Sequence, residues 1–533
     1  RFVDGTLVFG NPLLAFGLQA ALLEGARLPL AYCALGVAAL YALLAWRQPA
    51  GPSALLRQSF AVLAVGFATL AVPLALSAHV TASVFALEGA GLVWLGLRQR
   101  HRLTEYAGLG LQALAVLAFA QGQALAPAAG RALANPAFMG ALLIAVAAFA
   151  SALSYHLAGR RLRAPAMLVW GLLWWALMAW FEAQRFLPEP LRPDALLALN
   201  AVALLLATGA HGVLRARGLG WTLVALFAAA LPLVAWQAAA DAAPLAGYGA
   251  AAWCLFAAAG IWGLWSLRIA ARSQPDWAHG LWLAALLATI SFSAAFALDG
   301  LGLGDGWPLA AGVLPWVLAG AAVLAGQRWI AFPLAKRFDE WRQPLGHVLV
   351  AAVALLGAVA LAHPGDSAPL PWVPLFNPVE LVLIGAFAVL AGWSRAAAAG
   401  LGGRPRALLL SGAGVVLASD LTQRGVHQLG GVAWSASMLD VSLAQTSLTV
   451  VWSALGVTGW IVGSRRGLRA VWLAGAILMG VVLAKLLLID RQNLGNVAGI
   501  VSFIAYGLLC TAVGYWAPAP PQDAAAATQG ESA

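Results

Sequence analysis

Runs of alanine, leucine, valine, glycine and tryptophan, each about twenty residues long, alternate with short polar joints along the whole chain. A helix that crosses a bilayer needs roughly 20 mostly apolar residues, and that ruler predicts about eighteen spans. The first nine fall near 6–23, 28–46, 58–76, 80–97, 103–120, 135–158, 164–184, 194–214 and 218–240. The rest fall near 245–267, 277–298, 307–326, 345–362, 378–394, 406–420, 443–463, 468–489 and 494–516, with 406–420 the shortest. These segments are apolar all round, which suits helices surrounded by lipid and by one another.

The basic residues test this count independently. Arg47 and Arg57 follow the second span, Arg98, Arg100 and Arg102 the fourth, and Arg160, Arg161 and Arg163 the sixth. The alternation continues through Arg215, Arg268, Arg328, Arg395 and Arg465, so that 22 of the 30 Lys and Arg residues follow even-numbered spans. Positive joints stay cytoplasmic, which predicts an inner-membrane protein with both termini inside. The other face collects acids, among them Glu24, Glu182, Asp194, Asp299, Asp305, Asp366 and Glu380. They form either soluble turns or an outer vestibule that attracts cations.

Composition narrows the class further. Hydrophobic residues make up 62% of the 533 and charged residues 9%, which excludes both a water-soluble domain and a disordered chain. The net charge of +10 is spread over the joints and not gathered on one face, so nucleic acid is not an expected partner. Only Lys336 and Lys485 are lysines; this arginine bias reads as the mark of a GC-rich bacterial genome. Cys33, Cys254 and Cys510 lie singly inside apolar runs, without zinc or disulfide spacing. The chain begins at Arg1, which suggests the membrane part of a longer protein, and the Pro/Ala-rich tail 517–533 is expected to be disordered and cytoplasmic. The connection 327–344 reads equally as a surface helix or a plain loop.

Internal echoes suggest repetition. Asn11-Pro12 recurs as Asn135-Pro136 and Asn377-Pro378, each pair suited to starting a helix. Residues 89–111 resemble 456–478 without a gap, with Gly89, Gly96, Arg98, Arg102, Ala107 and Gly108 falling on Gly456, Gly463, Arg465, Arg469, Ala474 and Gly475. The predicted fold is therefore all-α and polytopic, a single membrane domain over 1–516. Four parallel quasi-repeats of four helices, near 28–120, 135–240, 245–362 and 378–489, are expected, with one helix added at each end.

Motifs for nucleotide, zinc or serine-nucleophile chemistry are absent, so no cofactor and no metal is expected. The candidates are ionisable residues at membrane depth, which are costly in lipid. Glu88 sits mid-span in VFALEGAGLVW, where its glycine neighbours would let another helix approach and supply a partner. Asp420, Arg424 and His427 form an i, i+4, i+7 stripe, followed by Asp440 and Gln445, and Lys485 and Asp490 close a later span. Lys485 is expected to find a carboxylate or carbonyls inside the bundle and not to face lipid.

Several of these residues carry a resemblance. Arg424, His427, Ser442, Gln445, Trp452, Trp472, Gly475, Lys485 and Asp490, with Asn11, Pro12, Glu88 and Gly89, resemble the pattern of a bacterial membrane family called domain of unknown function 2339. Where that family has a second His beside the first, this chain has Gln428. The resemblance implies a polytopic membrane protein, often with a cytoplasmic leader, and implies no activity. The functional expectation is transport, permeation or handling of an amphiphilic envelope ligand, with lipids and an envelope protein as partners. The alternatives are a scaffold or sensor acting through a missing leader, or an enzyme on lipid-linked substrates that uses Asp420, His427 or Asp440 as acid–base groups.

Overall fold

The structure, a computed structural model, describes residues 2–490 apart from 25, 49–53, 125–130, 241–242, 269–272, 335–337, 397–399 and 401, together with 504, 506–511 and 515. Among the described residues, seventeen long helices follow one another in two compact units, Arg1–Arg192 and Pro193–Ala533. The first unit holds α1 (Phe2–Leu22), α2 (Arg27–Arg47), α3 (Ala54–Ala75), α4 (Ala78–Gln99), α5 (Arg102–Ala124), α6 (Pro136–Leu157) and α7 (Arg163–Phe186). The second begins with α8 (Arg192–Leu214), α9 (Arg217–Ala239), α10 (Gly247–Leu267), α11 (Ser273–Asp299) and α12 (Gly306–Ala325). It ends with α13 (Phe338–Leu361), α14 (Pro378–Arg395), α15 (Gly403–Gln428), α16 (Ser442–Arg465) and α17 (Arg469–Lys485). Fifteen of the described helices are long and apolar enough to cross a membrane. The last expected span, 494–516, and the tail lie outside the described residues but for a few positions.

Two expectations change in detail. The short run at 406–420 is the middle of α15, whose 26 residues reach about 39 Å at 1.5 Å per residue. Asp420 and Arg424 lower its hydropathy, so an apolar ruler stops early. Asn11-Pro12 does not open a helix: Pro12 lies inside α1, whereas Asn135 and Asn377 both cap their helices. The Asn135 side chain accepts from the Phe138 N–H at 2.8 Å, and that of Asn377 from the Glu380 N–H at 3.0 Å. In both loops the leucine two residues before the asparagine is left-handed, Leu133 at φ 64° and Leu375 at φ 68°.

Small residues are inside and large ones outside. Ala34, Ala86, Ala145, Ala201, Ala230 and Ala259 are fully buried, whereas Leu14, Leu206 and Leu355 are more than 60% exposed. Lipid tails solvate leucine as well as a protein core does, so helices associate through close van der Waals contact, which small side chains permit. The first unit packs Phe85, Ile144, Trp174 and Met178 across α4, α6 and α7. The second packs Phe227, Trp253, Phe256 and Trp282 across α9, α10 and α11. In connection 327–344 a 3-10 turn, Arg328–Ala331, buries Ile330 and Ala331, and the residues from Phe338 on belong to α13. Arg342 on α13 then donates to the carbonyls of Val323 and Leu324 at 2.8 Å each, which caps the end of α12.

Candidate functional site

The candidate site grows from α15. Asp420 and Arg424 stand one turn apart on it, and their side chains meet, Oδ2 to Nη1, at 2.8 Å. Arg424 is fully buried, and its other donors reach out of its own helix. Nε donates to the His363 carbonyl at 3.0 Å and Nη2 to the Ala360 carbonyl at 2.6 Å. Those carbonyls belong to the last turn of α13 and the residues after it, where helix geometry leaves acceptors without intrahelical partners. Trp434 Nε1 and Gln428 Nε2 complete the cap on the carbonyls of Ala362 and Pro364, at 3.0 and 3.4 Å. A buried cation at a helix C-terminus also meets the negative end of the macrodipole.

Glu380 joins from α14. It is the third residue after the Asn377 cap, and its own carboxylate reaches back: Oε2 accepts the Leu375 N–H. This reciprocal arrangement satisfies two donors at the start of α14. Glu380 is 1% exposed, and the start of α14 lies beside Arg424: a methyl group at Gly365 would meet Arg424 Nε at 3.2 Å and Val379, the residue before Glu380, at 3.5 Å. Its second oxygen, Oε1, is buried with no hydrogen-bond partner among the described residues. Arg424 and Asp420 thus tie α15 to the end of α13, with buried Glu380 of α14 nearby, at the end away from the arginine-rich joints.

A second polar group lies across α15. Ser419 accepts from Trp452 Nε1 of α16 at 2.7 Å, which fixes that face of α15 against α16. Gln423, one turn on from Ser419, is buried there with neither amide atom bonded among the described residues. On α16, Gln445 and Thr449 precede Trp452 at i, i+4, i+7 spacing and share its face. Lys485 of α17 is 6% exposed and donates to the Gln445 carbonyl at 3.0 Å and the Thr449 hydroxyl at 2.6 Å. Of the two partners expected for Lys485, the carbonyl is present. The Gln445 amide itself donates to the Leu439 carbonyl.

The remaining sequence candidates do not join these groups. His427 turns its Nδ1 to the Val432 carbonyl at 2.7 Å and packs on Trp434, so it shapes the loop after α15. Asp440 is exposed at the end of a 3-10 turn, and the side chain of Asp490 lies outside the described residues. Glu88 belongs to the first unit, mid-way along α4 and about 15 Å from either end. It is exposed: Gly89 lies on the side of α4 packed against α5, and Glu88, about 100° round the helix, lies off that side. Among the described residues no group of three or more His, Cys, Asp or Glu is arranged to hold a metal.

Sequence reasoning did not select Glu380, Gln423 or Thr449. The Asn-Pro-x-Glu spacing at 377–380 was a readable cap signal for the first; nothing marked the other two. It also did not foresee a cavity of about 270 Å³ in the first unit, between the Asn135 end of α6 and the Glu182 end of α7. Its apolar wall is Phe119, Phe138, Ala141, Met178 and Phe181, and its polar part is Asn135, Glu182, Gln184 and Arg185. Glu182 is held in place by Asn135 Nδ2 at 3.1 Å and by the Leu133 N–H at 2.5 Å.

A sequence profile of predicted membrane proteins, domain of unknown function 2339, matches residues 1–520. No match was found among curated proteins or among solved structures.

Proposed function

The chain belongs to that family of predicted membrane proteins, and from this premise we propose that it holds and moves an amphiphilic ligand of the bacterial cell envelope. The observation that carries the reading is the cavity between α6 and α7, which joins an aromatic wall to a set of polar side chains. Binding sites for small molecules combine an apolar lining with a few placed polar groups, and this one suits an apolar tail with a polar head. In this reading the arginine-rich joints and both termini are cytoplasmic in the inner membrane, so the cavity lies toward the outer leaflet. Lipids are then the immediate partners, and an envelope protein is a second one. The enzymatic alternative loses support, because His427 and Asp440 do not converge with Asp420 on a common space.

Ala137 lines the cavity, and Ala137→Trp fills it. Native mass spectrometry of the purified chain with phosphatidylglycerol as probe is expected to show retention about tenfold weaker in the variant, or roughly 1.4 kcal/mol. Equal retention by both proteins would remove the cavity as the ligand site.

A further inference from the structure

The buried groups at this end of α13, α14 and α15 hold more acid than base. Glu380 is 1% exposed, Asp420 9% and Arg424 0%. Arg424 uses Nη1 on Asp420 and its other two nitrogens on carbonyls. Its single charge balances one carboxylate. A second bare carboxylate would leave a net charge inside an apolar bundle, which is costly unless it is neutralised. Either a proton or a metal cation could neutralise it, and two features select the proton. Glu380 Oε1 and, apart from its ion pair with Arg424, Asp420 Oδ2 are both buried with no hydrogen-bond partner among the described residues, oxygens on either of which one hydrogen can sit. A hard cation, by contrast, gathers many oxygen ligands and would stand beside a buried guanidinium that repels it.

We infer that Glu380 and Asp420 together hold one exchangeable proton beside Arg424, which makes this end of the second unit a proton-binding site. The charge belongs to the pair and not to either carboxyl alone. The other titratable groups around it are identifiable. His363, whose carbonyl Arg424 holds, points its ring Nε2 to within 3.8 Å of Asp305 Oδ2, and both side chains are partly exposed. Asp366 is exposed in the same loop. His427 lies on the Val432 carbonyl, and Lys485 lies across α15 on Gln445 and Thr449. Loading and unloading changes only an O–H bond. The site stands apart from the ligand cavity of the first unit and adds the titratable group that a proton-driven carrier requires.

Infrared difference spectroscopy on the full chain in lipid tests this without any transport assay. A protonated carboxylic acid gives a carbonyl stretch that shifts in deuterated water. With wild type as reference, Glu380→Gln and Asp420→Asn are each expected to remove the same band, because the carboxylate left behind pairs with Arg424 and needs no proton. Both substitutions keep side-chain size, and a Glu88→Gln sample identifies any signal from that residue. Survival of the band in either single variant would show an independent carboxyl and overturn the shared site. So would a wild-type spectrum in which the band is missing at neutral pH, or one in which it appears only when sodium and potassium salts are withdrawn.

Discussion

The α4–α5 hairpin of the first unit and the α16–α17 hairpin of the second use the same glycines for the same contacts, 367 positions apart. A methyl group at Gly108 would lie 2.5 Å from the Gly89 carbonyl oxygen, and one at Gly475 would lie 2.7 Å from that of Gly456. Gly96 faces the Glu105 backbone as Gly463 faces that of Trp472, and Gly89 meets the side chain of Gln112 as Gly456 meets that of Met479. Every pair keeps the offset. The decoration differs. In the first hairpin Gln112 donates to Ser151 of α6 at 2.7 Å, and Glu105 pairs with Arg163 of α7. In the second these positions are Met479 and Trp472, and the polar group has moved to Lys485, where the first hairpin has Ala118. Backbone approach is set by the absent Cβ atoms, and chemistry is added one or two turns away without disturbing it. We read the hairpins as two copies of one packing unit.

The largest expected effect breaks the shared part. Gly108→Val and Gly475→Val each push a side chain into a facing backbone, and each is expected to cost about 3 kcal/mol or more. Thermal unfolding in detergent measures this; tolerance of one substitution but not the other would show that the hairpins do not share a packing scheme. A middle effect tests the decoration of the second hairpin. Lys485→Met removes donors from the Gln445 carbonyl and the Thr449 hydroxyl and is expected to lower stability by about 1–2 kcal/mol while the chain still folds. A fold lost outright would assign Lys485 to the scaffold. The smallest effect belongs to the first hairpin. Gln112→Leu with Ser151→Ala, run as a double-mutant cycle, is expected to give a coupling of about 0.6 kcal/mol. A coupling near zero would leave Gln112 as a filler of the space at Gly89.

The spans were legible because length and the position of arginines report on the bilayer directly, and neither depends on which way a side chain points. The site was legible only in part. Asp420 and Arg424 share a helix face by spacing alone, and Lys485 was marked by its burial in an apolar run. Glu380 was hidden because it lies forty residues before Asp420 and carries a capping signal that explains it locally. Glu88 was placed in the bundle on the strength of its glycine neighbours. A helix that is apolar all round gives no hint of which side packs, and here Gly89 is buried while Glu88, about 100° round the helix, is exposed. Asn11-Pro12 failed as a helix start because the residues before it are themselves helical, whereas Leu133 and Leu375 turn the chain before the other two pairs.

The two arginine caps have a mechanical consequence. Arg342 fastens the start of α13 to the last carbonyls of α12, and Arg424 fastens the finish of α13 to α15. Three rods are thereby riveted in a zigzag, at one end between the first two and at the other end between the last two. Each rivet acts as a fulcrum and leaves the far ends of its two rods the freer to part. α13 is thereby held at both of its ends, and any tilt of it strains one rivet or the other.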